Sequence, residues 1–156
     1  MSKLLCKPIQ KNDAELLLAW RNHPTAREFS RNQEEILLKD HLDWLKDYLG
    51  DTGGKGSIFM YTHDGIEIGM ARLDFISKTI CEISVLVGPQ FQGKGYGVQI
   101  ISDASNIALN KLGLRQIIAV IHELNLRSLN SFKKCGYVVS ANNSPFLTLQ
   151  KHIVNA

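Results

Sequence analysis

The sequence predicts an α/β (α+β) domain. Apolar residues recur at helical spacing as far as residue 49, and from residue 57 the period shortens to two. An apolar strand, a glycine-rich turn and an amphipathic helix then follow in direct succession, and a wholly apolar segment comes after them. Helices and strands are thus interspersed along one chain, with no linker, repeat or low-complexity segment, and residues 1–156 are expected to form a single domain.

The elements follow in order. Residues 3–9 read as a short strand ending near Pro8. Asn12 with Glu15 three positions on has the spacing of a capping box, and Leu16, Leu17 and Trp20 give the first helix its apolar face. His23-Pro24 ends it, because a residue before proline disfavours the helical region, and a short helical piece is expected through Phe29. Leu42, Leu45, Tyr48 and Leu49 predict a helix over 39–49, closed by a turn over 50–56. Residues 57–62 and 66–75 read as a hairpin joined at Asp64-Gly65, and 79–87 as the next strand, with Glu82, Ser84 and Leu86 on one face. A helix to about residue 112 should turn Ile100, Ile101, Ala104, Ile107 and Ala108 inward and end at Gly113. Residues 116–121 are apolar throughout, as in a strand buried on both faces. A helix over 126–134 and two short strands complete the chain.

Composition narrows the function. Hydrophobic residues make up 44% and charged residues 21%, an ordinary globular mix, and the net charge of +3 is too small for a nucleic-acid footprint. Cys6, Cys81 and Cys135 form no CxxC pair and read as reduced thiols; the five histidines have no ligand spacing, so no metal site is expected. The first residues are too weakly apolar for a signal peptide, and no segment approaches the roughly 20 apolar residues that span a bilayer. A cytoplasmic protein without a membrane partner is the expectation.

The informative turn runs over 87–97 and contains Gln92-Gly93-Lys94-Gly95-Tyr96-Gly97. Its glycines let a ligand approach the backbone amides, and the following helix adds its N-terminal dipole, an arrangement that suits a phosphate or diphosphate. Lys94 is followed by Gly95, where a P-loop needs Ser or Thr, and the spacing is not that of a dinucleotide fingerprint. A coenzyme A pyrophosphate loop, or a plain connection without a ligand, remains.

Gln92, Gly95 and Gly97 match the coenzyme loop of the GNAT acetyltransferase superfamily, and a second segment from Asn125 through Ser128, Leu129 and Phe132 to Gly136-Tyr137 resembles that family's later motif. The resemblance covers nearly the whole chain. It implies a mixed central sheet with splayed strands flanked by helices, and acetyl-CoA as cosubstrate. It further implies that the backbone of Leu86 and Val87 pairs with the pantetheine arm and that the amides of Gly93, Lys94, Gly95, Tyr96 and Gly97 hold the diphosphate, with Gln92 and Lys94 as further donors. Asn125 and Ser128 would meet the coenzyme near its thioester end. Asn125 also suits a helix N-cap, and the two roles are compatible.

Direct transfer to an amine needs a base, and Glu82, an acid inside an apolar strand, is the candidate, the alternative being a salt-bridged structural glutamate. Phe132 stands where the family usually has a tyrosine that protonates the departing thiolate, which keeps a non-catalytic acetyl-CoA-binding module as an alternative. Trp20-Arg21-Asn22-His23-Pro24, with Arg27, Phe29, Arg31 and the later His41-Leu42-Trp44, is similar to aminosugar-nucleotide N-acetyltransferases. That similarity implies a sugar nucleotide as acceptor, with Trp20, Arg21 and Asn22 contacting it. The alternatives are a core Trp20 with solvated arginines, and a protein N-terminal acetyltransferase. A homodimer is compatible with either.

Overall fold

The computed structural model describes residues 4–50 and 54–153. A seven-stranded sheet of order β1-β2-β3-β4-β5-β7-β6 runs through the molecule. Its strands are β1 (Leu5–Pro8), β2 (Gly56–His63), β3 (Ile66–Phe75), β4 (Ile80–Val87), β5 (Gln116–His122), β6 (Val138–Asn143) and β7 (Phe146–His152). Neighbours are antiparallel except β4 and β5, which run parallel, so the sheet is mixed as expected. The hairpin between β2 and β3 turns at Asp64-Gly65, where both residues take positive φ (52° and 79°), the conformation a two-residue hairpin demands.

Helices cover both faces. On one, α4 (Tyr96–Asn106) continues as a wider π-turn over Ile107–Lys111, and α5 (Leu126–Lys134) lies beside it. The predicted inward residues Ile100, Ile101, Ala104, Ile107 and Ala108 are buried there; Ile100, Ile101, Ala104 and Ala108 pack with Leu73, Cys81, Ile83, Ile117 and Ala119 in one cluster. On the other face α1 (Ala14–Asn22) and α3 (Leu38–Lys46), joined through the short α2 (Pro24–Arg27), bury Leu17, Trp20 and Leu45 against Ile58, Met60 and Met70. Each such aliphatic side chain removed from water contributes about 1.5–3 kcal/mol.

Several expectations are corrected. The capping box lies on the 3-10 turn Lys11–Asp13 that leads into α1, between Gln10 and Asp13, whose Oδ2 accepts the Gln10 N–H at 2.9 Å, rather than between Asn12 and Glu15. Leu16 and Leu42 lie at the exposed margin of their helices, and the buried position on α3 belongs to His41. That helix starts one residue earlier and ends three earlier than its periodicity suggests, because Tyr48 and Leu49 belong to the turns that follow. The expected turn over 50–56 falls partly outside the described residues. β5 is fully buried on one face only, through Ile117, Ala119 and Ile121; its other face is half-open, for a reason that defines the site. Among the described residues no helix is long and apolar enough to cross a membrane.

Candidate active site

β4 and β5 pair only at Ile80–Gln116, Cys81–Ile117 and Glu82–Ile118. Beyond that point β4 stays with β3 as far as Val87, and β5 stays with β7 as far as His122, so the two strands part. The cleft between them has a volume of about 1010 Å³. The Gly88 N–H donates to Ile68 O at 2.7 Å, and strand alternation therefore directs the N–H groups of Leu86 and Ser84 to β3. The N–H groups of Val85 and Val87 face the cleft. Leu86, expected to offer its backbone, has its N–H turned to β3, whereas the Val87 N–H is left on the cleft side.

At one end of the cleft lies the glycine turn. Gly93 and Gly95 take φ of 77° and 86°, and a Cβ at either would meet nothing within 4 Å, so the turn is open to a ligand approaching its backbone. α4 begins at Tyr96 directly behind them, aiming its N-terminus at the same spot. This combination fits a diphosphate. Gln92, Gly93, Gly95, Tyr96 and Gly97 all line the cleft, but Lys94 is exposed and outside the lining. Gln92 is fixed from two sides: its Nε2 donates to Val87 O at 3.4 Å, and its Oε1 accepts from Arg127 at 3.1 Å. No sequence motif pointed to Arg127. Its neighbour Asn125 caps α5, Oδ1 accepting the Ser128 N–H at 3.3 Å, and both residues line the cleft. Phe132 lines it too, yet is only 4% exposed and stands edge-on to Tyr137, ring centres 5.0 Å apart. The Tyr137 hydroxyl is taken by Ser105 at 2.7 Å, which, with its burial, gives that tyrosine a structural role.

At the other end Glu82, Ser84 and Leu86 share the face covered by α1 and α3. Glu82 sits where the strands separate and accepts from Arg31 at 2.6 Å. Arg31 is 58% exposed, so the pair contributes about 0–1 kcal/mol, little enough for a substrate to rearrange. Arg72, opposite Ser84 on β3, donates to Asp74 at 3.0 Å and to Ser84 at 3.3 Å. Asp74 also accepts the Tyr48 hydroxyl, and burial followed by that hydrogen bond pushes the Tyr48 phenol well up. The guanidinium of Arg21 lies 3.8 Å from the centre of the Trp44 ring, and that of Arg72 lies 5.3 Å from it. Burial first, then the like charge of Arg72, push the Arg21 guanidinium down to about 10. Among the described residues Arg21 has no carboxylate partner; its Nη1 meets His41 Nδ1 at 2.9 Å, while His41 Nε2 meets Ala14 O at 2.8 Å. Since Nε2 must donate to that carbonyl and Nδ1 must accept from the arginine, His41 is the neutral Nε2–H tautomer, and burial lowers its basicity.

Trp20 and Arg21, expected to contact the acceptor, line the cleft. Trp20 is 5% exposed and packs under the Gly88 turn, where a Cβ would come within 3.2 Å of its ring. Asn22 is corrected: it lies outside the lining, and both ends of its amide are spent on the Ile36 backbone, Nδ2 to O at 2.8 Å and Oδ1 from N at 2.7 Å. Sequence reasoning missed the Arg72–Asp74–Tyr48 group and the partnership of Arg21 with His41. Arg72 and Asp74 were detectable as two opposite charges at alternate positions in the largely apolar second half of β3.

The chain belongs to the acetyltransferase (GNAT) domain family, whose model matches residues 3–138. It is 28% identical over 140 residues to an uncharacterized protein of Methanocaldococcus jannaschii, covering 87% of this chain but only 28% of that protein. To the acetyltransferase PseH of Campylobacter jejuni it is 24% identical over 140 residues, covering 88% of this chain and 85% of the relative. A solved domain from M. jannaschii superposes with a TM-score of 0.84 at 22% identity, covering 98% of this chain and all of that one. The spermidine N-acetyltransferase of Vibrio cholerae, solved with CoA and spermine, superposes at 0.83 with 16% identity, covering 98% of this chain and 96% of that one. The chain is thus an acetyltransferase domain with the GNAT fold.

Proposed function

We propose that this domain transfers the acetyl group of acetyl-CoA to the primary amine of a nucleotide-linked amino sugar. One observation carries the acceptor class: Arg21 is sequestered at the acceptor end without a carboxylate partner among the described residues, with Arg72 beside it. Burying a cation costs free energy, and an anionic ligand offsets that cost. A polycation such as spermine would meet Arg21, Arg31 and Arg72 as repulsion. The resemblance of the Trp20-Arg21-Asn22-His23-Pro24 run to aminosugar-nucleotide N-acetyltransferases supports the same direction, and an acceptor of this kind is consistent with a cytoplasmic enzyme.

Acetyl-CoA supplies an activated acyl group. The remaining work falls to this chain. The amides of Gly93, Gly95 and Gly97 would hold the diphosphate, and the cleft-facing N–H groups of Val85 and Val87 would pair with the pantetheine arm or polarise the acyl oxygen. Asn125 Nδ2, free once Oδ1 has capped α5, is the donor nearest the start of that helix. Glu82 would accept the proton from the attacking amine, directly or through one water, once Arg31 swings to the acceptor's anion. Phe132 offers no proton to the leaving thiolate, a role that solvent would fill.

Release of CoA thiol from acetyl-CoA, measured against a panel of a UDP-linked 4-amino sugar, spermidine and a basic peptide, tests the reading. Preference for the sugar nucleotide is expected. Preference for the peptide would make the domain a protein N-terminal acetyltransferase, and no turnover on any amine would make it an acetyl-CoA-binding module.

A further inference from the structure

A second hollow of about 390 Å³ opens beside the cleft, walled by residues 30–33, His122, Pro145 and Phe146. It shares Ser30, Arg31, Asn32, His122 and Phe146 with the cleft, so the two are continuous. Two rings, those of His122 and Phe146, wall it, and a third, Phe29 of the adjoining cleft, stands against His122. Phe29, just after α2, has its ring centre 5.3 Å from that of His122 at the end of β5, and His122 is again 5.3 Å from Phe146 at the start of β7. All three are half-buried, each ring partly covered and partly open. The leucine amide two residues on (Leu124 N–H) donates to His122 Nδ1 at 3.1 Å, so the ring proton of the neutral imidazole sits on Nε2, a free donor beside the aromatic faces.

The walls are fixed before any ligand arrives. Arg27 Nε donates to Gln33 O at 3.0 Å, Gln33 Nε2 to Glu28 O at 2.8 Å, and Glu34 N–H to Asn32 Oδ1 at 3.0 Å, closing the loop after α2 on itself. On the far side Ser144 Oγ donates to Glu123 at 2.9 Å and Glu123 N–H to Pro145 O at 2.8 Å, which ties the end of β5 to the β6–β7 turn. Such preorganisation lowers the entropic cost of binding. Arg31 links this hollow to the candidate base: it lines the hollow and also reaches Glu82.

We infer that the Phe29–His122–Phe146 bay binds the nucleobase of the acceptor, with Arg31 taking the adjacent phosphate and Glu82 receiving the amine. This rests on the sugar-nucleotide reading, and adds to it where each part of that molecule lies. The order is set by chemistry. A planar heterocycle stacks on aromatic faces and accepts from an imidazole N–H, a phosphate pairs with the guanidinium next to it, and the sugar spans the remaining distance to the carboxylate.

The test compares two acceptors with the same amine and the same first phosphate, a UDP-linked 4-amino sugar and the corresponding sugar 1-phosphate. Wild type should favour the UDP form by about tenfold in kcat/KM, the size expected for one stacked base and carried by KM. In Phe29→Ala and Phe146→Ala that ratio should collapse towards one, and in Phe146→Leu, which keeps bulk without a ring, it should fall in the same way. Equal kcat/KM for the two acceptors in wild type, or a ratio that survives in all three variants, overturns the bay. Failure to acetylate either acceptor sinks the sugar-nucleotide reading instead. The bay is then judged by calorimetric titration of UDP at saturating CoA: binding that Phe146→Leu weakens about tenfold supports it, and absence of binding overturns it.

Discussion

The two ends of the cleft are built in different ways. The end proposed to hold the coenzyme is made of runs of chain: the glycine turn between Gln92 and Gly97, with Lys94 outside the lining, and Asn125 with the first turn of α5. Its chemistry is mostly backbone, so what matters is where glycine permits the chain to turn. The acceptor end is made of single side chains brought from α1, α3, β3, β4 and the loop after α2. Its contacts join residues far apart, Arg21 with His41 and Arg31 with Glu82. One end therefore depends on conformation, and the other on the placement of charges.

The largest effect should come from breaking the conformational end. Gly95→Glu puts a side chain at φ 86° and a negative charge against the diphosphate. Acetyl-CoA should raise the melting temperature of wild type by mass action, and that rise should vanish in the variant. A variant that keeps the full shift would place the coenzyme elsewhere. At the junction of the two ends, Glu82→Gln should lower kcat about a hundredfold while leaving acetyl-CoA affinity near wild type. Unchanged kcat would make Glu82 a structural partner of Arg31 and nothing more.

A milder change tests the acceptor end alone. Arg21→Ala should raise KM for a UDP-linked amino sugar about tenfold, with KM for acetyl-CoA and kcat largely kept, the pattern of lost uniform binding. A parallel rise in both Michaelis constants would show that the two ends are not separable. The smallest effect concerns pH. Burial lowers the basicity of His41 from its ordinary 6.5, so below pH 6.5 the unfolded chain binds the extra proton first. Stability contributed by the neutral imidazole is complete above pH 6.5 and is lost as the pH falls from there towards the folded-state value. Thermal melts from pH 8 to 5 should show this decline in wild type and less of it in His41→Gln.

The same division explains what the sequence disclosed. Gln92, Gly95 and Gly97, and the stretch from Asn125 to Phe132, carry their information within a few residues, so the sequence itself marks them as a group, and the fold brings them to one cleft. Asn22 was misassigned because its neighbours in sequence face the cleft while its own amide turns to Ile36. Leu42 and His41 exchanged their expected places for a similar reason: hydrophobic spacing favours the leucine, and only the Ala14 carbonyl and Arg21, both distant in sequence, make the imidazole the better buried group. β5 looked like a strand covered on both sides because its residues are apolar throughout. Its composition cannot reveal that β4 leaves it at Ile118.

That departure has a consequence beyond catalysis. A strand with unpaired amides is a template on which another chain can assemble, and proteins usually keep such rims short or covered. Here the rim is internal, bounded by α5 on one side of the sheet and by α1 with its following loop on the other. The N–H groups of Val85 and Val87 lie beyond the last β4–β5 pair and face the cleft. On the function proposed above, the two amides of the coenzyme's pantetheine arm would supply the partners that this rim lacks. Coenzyme binding should accordingly slow hydrogen exchange at Val85 and Val87, and protect from aggregation a sheet that is otherwise interrupted at its centre.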